Sequence, residues 1–192
     1  MKLNTITAEF YDYSKFIRGY SDSTIKRYRQ VINFYANQFD ITDTSEINKA
    51  NVKRLFILGR TERDWSVNTY IVYHKSLLVF FRWCVENNYL SENYVEDIEV
   101  PKAEKKLPPK LSKQQAQKLL EIVFNYPYKY PYLRYRNHAI YSLFLHAGLR
   151  KSELLNLKLA DVDIENLTIF IRQGKGKKDR IVPINQTLAR SL

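Results

Sequence analysis

The apolar residues of this chain recur at helical spacing through most of its length and then, after Leu157, at every second residue. That change of period constrains the fold more than any other feature, since side chains line one face of a helix every 3.6 residues and one face of a strand every two. Ile6, Phe10, Tyr13 and Ile17 define a first helical face. Gly19 ends it, and Ser21-Asp22-Ser23-Thr24 supplies cap chemistry for a second helix with Ile25, Tyr28, Ile32, Tyr35 and Phe39 on its inner face. Thr44-Ser45-Glu46 opens a short helix carrying Val52, Leu55 and Leu58, which Gly59 is expected to stop ahead of a charged loop from Arg60 to Asp64. Ser66 caps the longest helix. Its stripe is Val67, Ile71, His74, Leu78, Phe81 and Val85, widened by Leu77, Phe80 and Cys84, so it is expected at the centre of the helical half.

The pattern dissolves from Asn87, and Pro101 to Lys118 combines three prolines with six lysines against the single Glu104. This reads as a stiffened basic linker, suited either to crossing a nucleic-acid backbone or to serving as a solvated tether. Ser112 begins a further helix through Ala116, Leu119, Leu120 and Val123. The run Tyr126-Pro-Tyr-Lys-Tyr-Pro-Tyr132 is too rich in proline for a helix or a central strand and is expected as a surface loop. Its aromatics beside cations suit base stacking, or packing on one another. Helix resumes from Arg136 to Ala147, with Ile140, Leu143, Phe144 and Ala147 inward, and Gly148 ends it. Leu167–Ile171 and Arg180–Ile184 then read as short strands joined by the basic turn Gly174 to Asp179, with a last helix from about Thr187.

Charge narrows the partner. With 31 Lys and Arg against 20 Asp and Glu, the formal net charge of +11 favours a polyanion, nucleic acid before an anionic membrane surface. Lys26, Arg27 and Arg29 lie on the polar side of the second helix, where they read as a solvated face or as phosphate contacts; the basic excess favours the second. Cys84 is the single cysteine, and His74, His138 and His146 lack ligand spacing, so neither a disulfide nor a metal site is expected, and a reducing cytoplasm is the simplest compartment. His74, Trp83 and Cys84 read as packing. No run approaches the ~18 apolar residues of a membrane span, and the amino terminus has no signal-peptide core. Arg150 falls between Gly148 and a new helix at Ser152-Glu153, where free backbone N–H groups favour an anion.

Together, Ala147-Gly-Leu-Arg150-x-x-Glu153-Leu, Asp161-Val-Asp163 and Gly174-Lys175-Gly-x-Lys-x-Arg180-x-Val-Pro183 resemble, in order and spacing, the arginine box and lysine-bearing hairpin of the tyrosine recombinase (phage integrase) family. Ser23-Thr-Ile-Lys-Arg-Tyr28, Ser66-Val-Asn-Thr69 and Phe80-Phe-Arg-Trp83 are similar to that family's core-binding domain, so the likeness covers nearly the whole chain. It implies a mainly α fold with a small β-hairpin sheet: a helical (SAM-like) core-binding domain at 1–99, a basic linker at 100–111, and at 112–192 the first half of the mixed α/β catalytic domain. The family closes such a pair of domains around duplex DNA as a C-shaped clamp, and cuts and rejoins strands through a covalent phosphotyrosine without metal or other cofactor.

By this resemblance Arg150 would grip the scissile phosphate, Lys175 would protonate the 5′-oxygen leaving group, and Glu153 would support Arg150. Lys26, Arg27, Arg29, Lys102, Lys105, Lys106, Arg172, Lys177, Lys178 and Arg180 would bind DNA. The implied partners are a double-stranded recombination site and, for the complete enzyme, other recombinase protomers in a synaptic complex. The family's His-x-x-Arg segment, later His or Trp and nucleophilic tyrosine have no counterpart after Arg150: no tyrosine follows it and no histidine follows His146. The expectation is a DNA-binding recombinase fragment that lacks its nucleophile, with marginal stability in its second half. The alternative is a non-enzymatic DNA-binding protein, a competitor or architectural factor, built on the same clamp.

Overall fold

The computed structural model describes residues 1–103, 107–172 and 178–192, which divide into two compact units, Met1–Lys106 and Leu107–Leu192. Among the described residues the first is built from helices, α1 (Leu3–Asp12), α2 (Asp22–Gln38), α3 (Lys49–Thr61) and α4 (Val67–Glu86), with one isolated antiparallel bridge between Lys2 and Asp43. The second holds α5 (Lys113–Asn125), α6 (Tyr132–Ser142), α7 (Lys151–Leu155) and α8 (Gln186–Ala189). Its sheet has the order β1-β2-β3 and is antiparallel throughout, from β1 (Val162–Asp163), β2 (Thr168–Ile171) and β3 (Arg180–Pro183). A mainly α fold with a small sheet is therefore what forms. Among the described residues no helix is long and apolar enough to cross a membrane.

The helix starts follow the expected cap chemistry. The Ser21, Ser66 and Ser112 hydroxyls accept from the backbone N–H of Thr24, Thr69 and Gln115, and Gln115 reaches back to the Ser112 N–H at 2.8 Å. Before α1, which has no side-chain cap, tertiary bonds do the work: Leu3 N–H donates to the Thr42 carbonyl at 2.8 Å, and the Met1 ammonium meets Asp43. Asp43 also accepts from the Ser45 N–H, and these bonds hold its carboxyl low, at about 2. One short turn, Thr44–Glu46, thus ties down the amino terminus.

α4 is central, although its buried face is centred on Tyr70, His74, Leu77, Phe80, Phe81 and Cys84 rather than on the expected stripe. Leu77, Phe80 and Cys84, expected to widen the arc, are its middle. Phe80 meets Phe10 at 5.1 Å and Phe81 meets Tyr35 at 5.9 Å, so rings from α1 and α2 lock onto the same face. His74 and Trp83 are packing residues as expected. The His74 ring faces the Ile98 carbonyl at 3.0 Å, the Tyr70 hydroxyl donates to the Glu99 carbonyl at 2.9 Å, and Val95 is fully buried, which straps the irregular segment after α4 to that helix. Burial pushes the Cys84 thiol up to about 12, leaving an inert apolar filler.

Four expectations need correction. Ile17 is exposed because α1 ends in a π-helical turn, Tyr13–Ile17, whose extra residue per turn shifts the last residues off the core-facing side and buries Ser14 in their place. A second π turn, Leu143–Ala147, does the same to Phe144, which faces water while Leu143 stays buried. α6 begins at Tyr132, not Arg136, on Pro131, whose fixed φ suits a helix start. Gly59 does not stop α3, which runs to Thr61.

Gly59 is instead where the Trp65 ring lies flat against the helix, and a Cβ there would sit 2.3 Å from Trp65 Cε3. Trp65 in turn packs against Tyr73, with ring centres 3.9 Å apart and planes tilted by 31°. In an exposed helix, Gly→Ala stabilises by about 1 kcal/mol. Here Gly59→Ala is expected to destabilise the first unit by about 1–3 kcal/mol through overpacking, as read by urea unfolding; a rise in stability would show that Trp65 moves aside at no cost.

Candidate nucleic-acid interface

The second unit's core is Leu143, Leu149, Ile169, Ile171, Ile184 and Leu188. Its strands alternate accordingly, with Ile169 and Ile171 of β2 inward and Ile181 of β3 exposed. Gly148, at φ +60°, turns the chain sharply after α6, and buried Leu149 anchors the next step. Arg150 follows in extended conformation as the exposed N-cap residue of α7. α7 has only five residues, so the expected array of free N–H groups is not what defines the place. Glu153 does.

The Glu153 side chain is 3% exposed, against 56% for Arg150. Its Oε1 accepts from Arg150 Nη1 at 2.9 Å and Arg180 Nη1 at 2.8 Å; its Oε2 accepts from the Arg150 backbone N–H at 2.9 Å and Arg180 Nη2 at 2.8 Å. Four donors saturate both oxygens. The Arg180 fork, followed by the Arg150 N–H, holds the carboxyl well below the usual range, and Arg180 is raised by the same bonds. Two guanidiniums thus share one carboxylate and leave net positive charge. Among the described residues Arg150 Nε and Nη2 have no hydrogen-bond partner, and the side chain as a whole is more than half exposed.

A parallel arrangement holds the neighbouring strand. Asp161, buried, accepts from Arg172 Nε at 2.7 Å and from the Lys158 N–H at 3.3 Å, which lowers its carboxyl, while the Arg172 guanidinium lies 4.9 Å from the Phe170 ring centre. Arg172 and Arg180, expected as backbone contacts, are therefore tied to Asp161 and Glu153 on the two sides of the hairpin. The β1 strand and these two pairings were missed from sequence. Two carboxylates that must be buried in a basic stretch were the available signal, though several arginines competed for them. Lys178 is exposed; Lys175 and Lys177 lie outside the described residues.

In the first unit Lys26, Arg27 and Arg29 are all exposed on α2, with Arg29 4.9 Å from the Tyr11 ring centre and Arg27 5.6 Å from that of Tyr28. Lys15, nearby, pairs with Asp22 at 2.9 Å. Lys102 is exposed, while Lys105 and Lys106 fall outside the described residues. No cluster of three or more His, Cys, Asp or Glu suited to a metal occurs among the described residues.

Residues 109–192 match the family model described as the phage integrase family, and residues 6–90 match that of the phage integrase N-terminal SAM-like domain. A tyrosine recombinase of Pseudothermotoga lettingae is 31% identical over 198 residues, covering 99% of this chain and 65% of that protein. Tyrosine recombinase XerA of Thermococcus onnurineus is 31% identical over 185 residues, covering 95% and 58%. The chain spans about three fifths of the length of these relatives. Among solved structures, the Tn1549 transposon integrase in complex with transposon right end DNA has a TM-score of 0.72 at 16% identity, covering 100% of this chain and 63% of that one. A lambda integrase dimer bound to a COC′ core site has a TM-score of 0.70 at 16% identity, covering 95% and 62%. At such identities the likeness shows the fold.

Glu153→Gln is expected to cost about 1–3 kcal/mol at neutral pH, the range for lost hydrogen bonds to charged groups. Because the folded-state pKa is depressed, the unfolded chain binds the proton first on acidification, so Glu153 stabilises above its ordinary value of 4.5 and loses that effect as pH falls below it. Denaturant midpoints for both proteins between pH 7 and pH 3 should therefore converge towards acid; a constant gap would mean that the carboxylate's charge contributes nothing.

Proposed function

Because the chain belongs to the phage integrase family of tyrosine recombinases, we propose that it binds the duplex DNA of a recombination site and carries the phosphate clamp of a strand-transfer site. The observation that supports this most directly is the Arg150 guanidinium, anchored by one nitrogen to a buried carboxylate, more than half exposed, and with no other side-chain partner among the described residues. A planar fork so held offers two parallel N–H groups to the non-bridging oxygens of a phosphodiester, and needs little reorganisation as negative charge grows on them. Glu153 and Arg180 act through Arg150: the carboxylate orients it, and Arg180 holds the carboxylate. Lys175 supplies the proton to the 5′-oxygen as that bond breaks.

In this reading Lys26, Arg27, Arg29, Lys102, Lys105, Lys106, Lys177 and Lys178 neutralise backbone phosphates, and Arg172 and Arg180 add positive potential beside the clamp while remaining paired. No cofactor takes part, the working compartment is the cytoplasm, and further recombinase protomers join in a synaptic complex. Strand cleavage needs a tyrosine nucleophile in line with the leaving oxygen, and no tyrosine follows Arg150 in these 192 residues.

Rounds of selection from a random duplex pool should enrich one sequence family, bound more tightly than random DNA, with affinity falling steeply as salt rises. Equal affinity for selected and random duplexes would leave only charge. Replacing Lys26, Arg27 and Arg29 by Ala should flatten the log–log salt slope by about one for each phosphate no longer neutralised; an unchanged slope would return them to a solvated face. On a nicked suicide duplex carrying the selected site, the 192-residue chain should form no covalent adduct, whereas a covalent band on a denaturing gel would assign the nucleophile to an earlier tyrosine.

A further inference from the structure

The segment between α5 and α6, with the first turns of α6, forms a surface to which the proposed function gives no role. From Glu121 to Glu153 the chain has no other acidic residue, yet Lys129, Arg134, Arg136 and six tyrosines fall within that interval. Tyr126, Tyr130, Tyr132 and Tyr135 are 55, 49, 62 and 63% exposed. Exposed aromatic rings in such number are unusual on a surface without a partner. They are also ordered: Tyr126 and Tyr128 lie 4.8 Å apart, Tyr130 and Tyr132 stack at 6.0 Å with 21° between planes, and Lys129 Nζ stands 5.4 Å from the Tyr130 ring centre. Below them Phe124 takes the edges of Tyr135 and His138 at 5.8 and 5.4 Å, with the Arg134 guanidinium at 5.4 Å, which fixes α6 under the loop.

We propose that the surface from Tyr126 to Arg136 is a stacking site for unpaired bases of single-stranded DNA. Tyr130 and Tyr132 pair with one another and still stay 49 and 62% exposed. Exposed aromatic rings set among cations, in a stretch with no acidic residue between Glu121 and Glu153, suit recognition of bases by stacking and of the strand by charge. An intact duplex hides its base faces within the stack, so it can meet this surface only through phosphates. A membrane partner fits less well, since Pro127 and Pro131 break any amphipathic helix that would lie along a lipid surface. The proposal rests on the DNA-strand-transfer reading to the extent that strand exchange exposes unpaired bases.

The test uses the 192-residue chain with an oligothymidylate of about twelve nucleotides, within the span of single-strand sites. Compared with it are an abasic oligomer of equal phosphate number, oligouridylate, an unrelated duplex and phosphatidylserine vesicles. The thymidylate should bind about tenfold more tightly than the abasic strand. That preference should disappear in the Tyr130→Leu/Tyr132→Leu double variant, with duplex affinity unchanged; both residues are exposed, and circular dichroism checks the fold. Ultraviolet crosslinking of a 5-iododeoxyuridine-labelled strand should mark the peptide containing Tyr126 to Tyr135. Equal binding of abasic and thymidylate strands, crosslinks confined to tyrosines elsewhere, tighter binding of oligouridylate, or a variant that loses only vesicle binding would each overturn the proposal. Loss of duplex binding alone, with thymidylate binding intact, would count against the proposed recombinase function and not against this surface.

Discussion

The Glu153 carboxylate organises the second unit's chemistry. A buried carboxylate with unfilled acceptor sites is costly, and here both oxygens take two donors each. The consequence is mutual: Arg180 and the Arg150 backbone keep Glu153 ionised, and Glu153 keeps two like-charged guanidiniums close together. The Arg150 side chain stays more than half exposed. Under the proposed function this arrangement is an anion receptor whose counter-charge is supplied by Glu153.

That receptor depends on short elements held by few core residues. Leu149 is buried immediately before Arg150, and Ile171, buried on β2, is the strand partner of Arg180. Both arginines on Glu153 are thus positioned by buried neighbours from one small hydrophobic cluster. The first unit is built differently, around a 20-residue α4 whose aromatic face is met from α1 and α2. Its larger core is the physical reason to expect it to be the sturdier of the two. The exposed Leu155, Leu159, Ile181 and Phe144 of the second unit point the same way.

Much of the fold was legible in the residues. Serine caps, apolar stripes at 3.6 spacing and the change to alternation marked nearly all helices and the two longer strands. Failures cluster where local rules meet packing. Gly59 reads as a helix stop, and becomes a contact point only because Trp65 folds back onto it. The two π turns keep helical composition but shift the register, so Ile17 and Phe144 leave faces to which their spacing assigned them. The two-residue β1 carries too little pattern to be seen alone; its pairing with β2 defines it.

The stretch from His146 to Pro183 shows the same division at the site. Sequence alone determined which residues carry charge, where Arg150 sits relative to Gly148 and Glu153, and that this order resembles a recombinase arginine box. Those are properties of spacing along one segment. Tertiary structure alone decided that Arg180 belongs to Glu153 and Arg172 to Asp161, since pairing across 27 and 11 positions depends on strand register and burial. A basic chain offers each carboxylate many possible partners, and only the fold selects which guanidiniums come within hydrogen-bonding distance while burial excludes the water that would otherwise serve.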